Sequence, residues 1–152
     1  MAEFTYNPVQ TVAAGQPVIL NTSIGCTKGY VLHRNESGVV TLRSIVNNPC
    51  ASFARYQVTF CANIAVPEGG TAGPISVALA IGGEPLPTSM AIVTPAAAED
   101  YFNVTCTATI TVPRGCCADV SVENTSESAT PGTTPAPSIN VQNANFTVTR
   151  IA

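Results

Sequence analysis

A single histidine, His33, bounds the acid–base chemistry open to this chain. A Ser–His–acid arrangement would have to be built on it. The nearest serines in sequence, Ser23, Ser37 and Ser44, lie in no Gly-x-Ser-x-Gly elbow. His33 falls instead in the apolar stretch Tyr30-Val31-Leu32-His33-Arg34, where a histidine at the end of a strand is a structural or solvated group. The nine acidic residues are dispersed, and only Glu99 and Asp100 are neighbours. Adjacent side chains in a turn diverge, which suits neither a glycosidase carboxylate pair nor a calcium cage. Trp, the usual stacking platform for sugars, is absent. No catalytic residue, no cofactor-binding residue and no metal ligand set is expected.

Cysteine is the one reactive residue type in abundance. There are six: Cys26, Cys50, Cys61, Cys106, Cys116 and Cys117. None forms a Cys-x-x-Cys pair, and with one histidine available the spacing is wrong for zinc. Cys116 and Cys117 are adjacent, and a ring closed between neighbours is strained, so each would find a different partner on oxidation. Cys26, Cys50, Cys61, Cys116 and Cys117 are the disulfide candidates, with fifteen pairings open to the six thiols. The alternative role is that of a small buried hydrophobe.

These residues must be positioned by strands, because period-2 alternation recurs along the chain and helical periodicity does not. In residues 101–112, Phe102, Val104, Cys106, Ala108, Ile110 and Val112 share one face, and Asn103, Thr105, Thr107, Thr109 and Thr111 share the other. That pattern is a half-buried strand with a Thr-coated outer side and with Cys106 as a buried core thiol. In residues 55–66, Tyr56, Val58, Phe60, Ala62 and Ile64 face one way, and Gln57, Thr59, Cys61 and Asn63 the other. Cys61 is therefore an exposed or intersubunit thiol. Residues 75–81 are apolar on both sides apart from Ser76 and run into the turn Gly82-Gly83-Glu84-Pro85. Shorter strands are expected at residues 17–21, 29–33, 38–42, 89–93, 118–124, 139–141 and 145–151. One helical turn could form within residues 95–100. Residues 125–138 (TSESATPGTTPAPS) hold no large apolar side chain and read as an exposed loop. The whole of 1–152 is expected to be one all-β sandwich of about 8–10 antiparallel strands.

Composition argues about partners. Charged residues make up 10 % of the chain, against about 25 % in ordinary soluble domains. A surface of Thr, Ser, Asn and small apolar residues costs little to desolvate, so contact with sister copies is favoured. One Lys and five Arg scattered along a chain of net charge −3 form no basic stripe, and nucleic acid is not an expected partner. No apolar run approaches the ~20 residues that span a bilayer, so no membrane insertion is expected. The start Met1-Ala2-Glu3-Phe4-Thr5-Tyr6 lacks the pattern of a secretory signal. The protein then either stays in the cell that made it, leaves by another route such as lysis or deposition on a spore from its mother cell, or is a mature form that has lost its signal. The five Asn-x-Ser/Thr triplets, at Asn21, Asn35, Asn103, Asn124 and Asn145, are expected products of an Asn- and Thr-rich composition.

Five segments carry a likeness. They are Thr11-Val12-Ala13-Ala14-Gly15-Gln16-Pro17-Val18, Gly38-Val39-Val40-Thr41-Leu42, Ala54-Arg55-Tyr56-Gln57-Val58-Thr59-Phe60, Leu79-Ala80-Ile81-Gly82-Gly83-Glu84-Pro85-Leu86, and the ending from Ala144 to Ala152. In these the chain resembles the C-terminal globular domain of collagen-like exosporium glycoproteins of spore-forming bacteria, a branch of the tumour-necrosis-factor and complement-head jelly rolls. The Gly usual before the central aromatic strand is replaced by Ala54. The collagen-like stalk is missing from these residues, and the cysteines and the 125–138 loop are additions. More loosely, the cysteine-bearing jelly roll is similar to subunits of spore appendage fibres. The resemblance implies a trimer with one sheet of each protomer facing the axis. Phe4, Tyr6, Cys61, Ala144, Phe146 and Val148 are the expected assembly contacts. The function expected is non-enzymatic: a structural protein that self-assembles into, or coats, an extracellular particle such as a spore or cell-surface layer or an appendage fibre. Two alternatives are a bacteriophage virion decoration or fibre protein, and a surface module that binds glycans or a receptor through the 125–138 loop.

Overall fold

A computed structural model describes residues 1–25, 29–45 and 48–152. Cys26 therefore lies outside the described residues. Among those described, twelve strands form two antiparallel sheets: β1 (Ala2–Tyr6), β2 (Gln10–Val12), β3 (Thr22–Ile24), β4 (Val31–His33), β5 (Val40–Arg43), β6 (Phe53–Ala65), β7 (Ile75–Ile81), β8 (Glu84–Pro85), β9 (Ala91–Val93), β10 (Phe102–Pro113), β11 (Cys117–Asn124) and β12 (Ile139–Arg150). The first sheet runs β10-β6-β12-β1-β3, with β2 also on β12. The second runs β4-β5-β11-β7-β8, with β9 also on β7. The two sheets face each other as a jelly-roll β-sandwich.

The long strands follow from the alternation. On β6 and β10, Ala54, Tyr56, Val58, Phe60, Ala62, Ile64, Val104, Cys106, Ile110 and Val112 are buried, while Gln57 and Thr105, Thr107, Thr109 and Thr111 are exposed. Phe102 departs from its phase-mates: it is exposed at the first position of β10. Register then aligns the aromatics. Phe4 pairs with Phe146, Phe146 with Phe60, and Phe60 with Cys106. One row of buried side chains thus crosses β1, β12, β6 and β10. Burying each Phe contributes roughly 1.5–3 kcal/mol. The second sheet closes over the row, and the His33 ring sits 4.7 Å from that of Phe4. Tyr56 ties the layers together by donating its hydroxyl hydrogen to the Arg43 carbonyl at 2.6 Å.

Three expectations need correction. Residues 17–21 form no strand, only the isolated bridges Pro17–Glu123 and Leu20–Ser37. Gly38 permits that close approach, because a Cβ there would lie 2.6 Å from the Pro17 side chain. Residues 139–141 and 145–151 are not two strands. They belong to one continuous β12, whose register shifts between Gln142 and Asn145. Asn143 absorbs the extra residue with φ 54°, a left-handed conformation that Asn tolerates. Residues 95–100 hold bends and a turn rather than a helical turn, and the short 3-10 turn sits at Pro87–Ser89.

Candidate functional site

The outward face of the first sheet is the most distinctive surface of the molecule. Register across three long strands arranges it in rows: Asn103–Asn63–Gln142, Thr105–Cys61–Asn145, Thr107–Thr59–Thr147 and Thr109–Gln57–Thr149. β1 extends two of them with Thr5 beside Asn145 and Glu3 beside Thr147. The hydroxyls of Thr59 and Thr107 lie 3.1 Å apart. Asn103 donates to Asn63 Oδ1 at 3.1 Å and to the Cys61 sulfur at 3.5 Å. The Thr147 hydroxyl donates to Asn145 Oδ1 at 2.9 Å, and Asn145 Nδ2 donates to Glu3. Part of the face is thus hydrogen-bonded within itself, while Gln57, Thr105, Thr109, Gln142 and Thr149 keep polar groups that a docking partner would have to meet. Across β10, β6 and β12 the four rows hold no charged side chain, and Glu3 of β1 borders them. Such a face can dock against a matching polar, uncharged surface.

The thiols divide by position. Cys61 is half-buried in the middle of the Thr/Asn face, and Cys106 is fully buried on the inner side of β10. Burial pushes the Cys106 thiol up to about 11 by disfavouring the thiolate. Cys50, Cys116 and Cys117 are exposed at one end of the sandwich. Among the described residues, no group of three His, Cys, Asp or Glu side chains is arranged to hold a metal ion. His33 Nε2 hydrogen-bonds the Ser37 carbonyl oxygen at 2.9 Å, a local contact within its own turn.

Four of the expected assembly contacts are not available for that role. Phe4, Ala144, Phe146 and Val148 lie in the protomer's own core, each at most 2 % exposed. The physical reason is the position of the terminal strands: β12 lies between β6 and β1 rather than at an edge, so its apolar face meets the opposite sheet. Tyr6 is half-buried, and Cys61 alone of the six sits on the outward face. Thr59, Thr107, Thr147 and Asn145 were not anticipated as a group; their signal was the polar half of each alternating run.

The 125–138 loop is exposed from Ala129 to Pro135 but pinned at its base. The buried Asn124 amide donates to the Val12 and Pro137 carbonyls at 2.9 and 3.0 Å, and the Ser126 backbone N–H donates to Asn124 Oδ1 at 3.0 Å. Beside it runs an apolar groove of about 340 Å³ that includes Pro74, Ile75, Ala129 and Pro135.

Compared with solved structures, the chain is similar along its length to the globular domain of zebrafish complement 1qA protein. Identity is 14 %, with 99 % of this chain and 97 % of that chain covered, at a TM-score of 0.54. The CBM22-1 xylan-binding domain from Paenibacillus barcinonensis Xyn10C aligns at 7 % identity and a TM-score of 0.35, covering 99 % and 87 %. No protein-family model matches the sequence, and no curated protein matches it.

Proposed function

Because the chain folds as a complement-1q and tumour-necrosis-factor-like jelly roll, we propose that it is a non-enzymatic structural module that associates with copies of itself. The outward face of β10, β6, β12 and β1 is the docking surface in this reading. The observation that carries it is the set of rows centred on Thr59, which across β10, β6 and β12 hold no charged side chain and are in part hydrogen-bonded internally. A trimer around that face would remove it from water without burying a charge from the four rows on β10, β6 and β12, and Gln57, Thr105, Thr109, Gln142 and Thr149 could find partners across the contact. It would also supply the closed symmetry that stops further sheet stacking. The assembly belongs in this reading to the surface of an extracellular particle, a spore or cell-surface layer or an appendage fibre. A bacteriophage virion decoration or fibre uses the same face and differs in the genes that neighbour this one.

Light scattering and sedimentation of the native protein test the proposal. The expected mass is three times 15.6 kDa, falling to the monomer in Thr59→Lys and Thr107→Lys with circular dichroism unchanged. A wild-type monomer at high micromolar concentration would overturn it. A ligand-binding reading draws on the groove beside the 125–138 loop. It requires selective capture of a surface glycan on an array that disappears when residues 129–134 are replaced by a Gly-Ser linker.

A further inference from the structure

The end of the sandwich that carries three exposed thiols supports an inference independent of the assembly face. Arg114, at the turn between β10 and β11, holds the segment before β6 at two points. Its guanidinium Nη1 donates to the Pro49 carbonyl at 2.8 Å, and its backbone N–H donates to the Ser52 carbonyl at 2.9 Å. Cys50 lies between those two anchors. Its own N–H is tied to Asn48 Oδ1 at 2.9 Å, which fixes the local turn. On the facing segment, the Cys116 N–H bonds back to the Pro113 carbonyl at 3.0 Å, and the Cys116 carbonyl accepts from the Ser44 N–H at 3.1 Å.

Strand phase then separates the two adjacent cysteines. Ala118 pairs with Leu42 and Val120 with Val40, and the valines and Leu42 are buried. Cys116 precedes β11 in the turn that Arg114 anchors, lies opposite buried Ser44, and carries, like Cys50, a free and exposed thiol at the mouth of the sandwich. Cys117 pairs with Arg43 and shares the outward phase of Asp119, whose carboxylate accepts from Thr41. Cys61 and Cys106 sit elsewhere, on the Thr/Asn face and in the core.

We propose that Cys50 and Cys116 form an intramolecular disulfide that staples residues 48–53 to the β10–β11 turn in an oxidising environment. The oxidant is a small-molecule disulfide. One thiolate attacks it and releases one small thiol. The second thiolate attacks the resulting mixed disulfide and releases the other. Two protein S–H bonds are lost, one protein S–S bond forms, and the oxidant is reduced to two thiols. Closing so long a loop restricts the unfolded chain.

Tryptic mapping of the full chain separates the outcomes, because cleavage after Lys28, Arg43, Arg55 and Arg114 places Cys26, Cys50, the Cys61–Cys106 pair and the Cys116–Cys117 pair on different peptides. Reduced protein is treated with oxidised glutathione, blocked with N-ethylmaleimide and digested without reductant. The expected product joins peptide 44–55 to peptide 115–150. It persists in Cys117→Ser, is lost in Cys116→Ser, and in a mixture of light and 15N-labelled protein joins only light to light and heavy to heavy. Oxidation should raise Tm by roughly 5–10 °C in wild type and in Cys117→Ser but not in Cys116→Ser. Both serine variants alter exposed positions, and circular dichroism checks that they fold. Cys50 joined to the Cys26 peptide, a light–heavy cross-link, survival of the link in Cys116→Ser, or full blocking of both thiols would each overturn the proposal.

Discussion

At the scale of single residues, Cys61 and Cys106 are one strand register apart in kind: same side-chain type, opposite faces. Cys61→Ser should leave protomer stability close to wild type and weaken association, since its sulfur sits among the Thr and Asn rows. Cys106→Ser places a hydroxyl on the inner side of β10, where the polar neighbours of the sulfur are the Val77 carbonyl at 3.6 Å and the Ala91 backbone, and should cost about 1–3 kcal/mol. Urea unfolding and sedimentation of the two variants measure both halves, and equal effects would mean the strand phase is wrong. Alkaline pH provides a second readout. Burial raises the folded Cys106 pKa from its ordinary 9.0 to about 11. Its contribution to stability is therefore complete below about pH 9 and is lost as pH rises through about 11, because the unfolded chain gives up that proton first. Burial raises Tyr56 as well, so some decline should remain in Cys106→Ala. The urea midpoint of wild type should fall more steeply between pH 8 and pH 10.5 than that of Cys106→Ala; parallel slopes would remove Cys106 from the account.

Elements come together through inter-sheet contacts that no single strand encodes. Tyr56 leaves β6 of one sheet and reaches the Arg43 carbonyl at the end of β5 in the other. Tyr56→Phe keeps the ring and leaves that carbonyl without its donor, so a loss of about 0.5–1.5 kcal/mol in urea unfolding is expected. A loss below the error of the measurement would show that water replaces the hydroxyl. The same contact marks the limit of what alternation can tell. The inward and outward phases of β6 and β10 were legible because their polar and apolar residues strictly alternate, and the bounds of β7 were legible because Gly82 and Gly83 end it. The place of β12 was not. Its bulge at Asn143 breaks the period, and nothing local to Phe146 says that β12 lies between β1 and β6 rather than at an edge. Side chains that join two neighbours in the middle of a sheet look, in sequence, like those of an edge strand. The Thr/Asn face was half legible: each strand announced its polar side, but the rows that make it a surface exist only once register is fixed. Cys50 and Cys116 were visible as thiols, but the Arg114 bonds that tie the Cys50 segment to the turn before Cys116 were not.

For the whole molecule, the decisive property is where charge is missing. The chain carries net charge −3 with only 10 % charged residues, and across β10, β6 and β12 the rows through Thr59, Cys61, Asn63 and Gln57 contain none. An interface built on that face gains from desolvating small side chains and from shape match, and neither responds strongly to screening. Raising salt from 0.1 M to 1 M shortens the Debye length from about 10 Å to about 3 Å, which removes most attraction between exposed charges. The dissociation constant of the assembly should therefore stay within about threefold across that range, or tighten slightly as apolar burial strengthens in concentrated salt. An interface seated instead on the end of the sandwich that carries Arg55, Arg114 and Arg150 would weaken markedly, because the guanidinium groups there would supply the attraction. Sedimentation equilibrium at the two salt concentrations distinguishes the cases, and a loss of about tenfold or more in affinity at 1 M would move the contact off the Thr/Asn face.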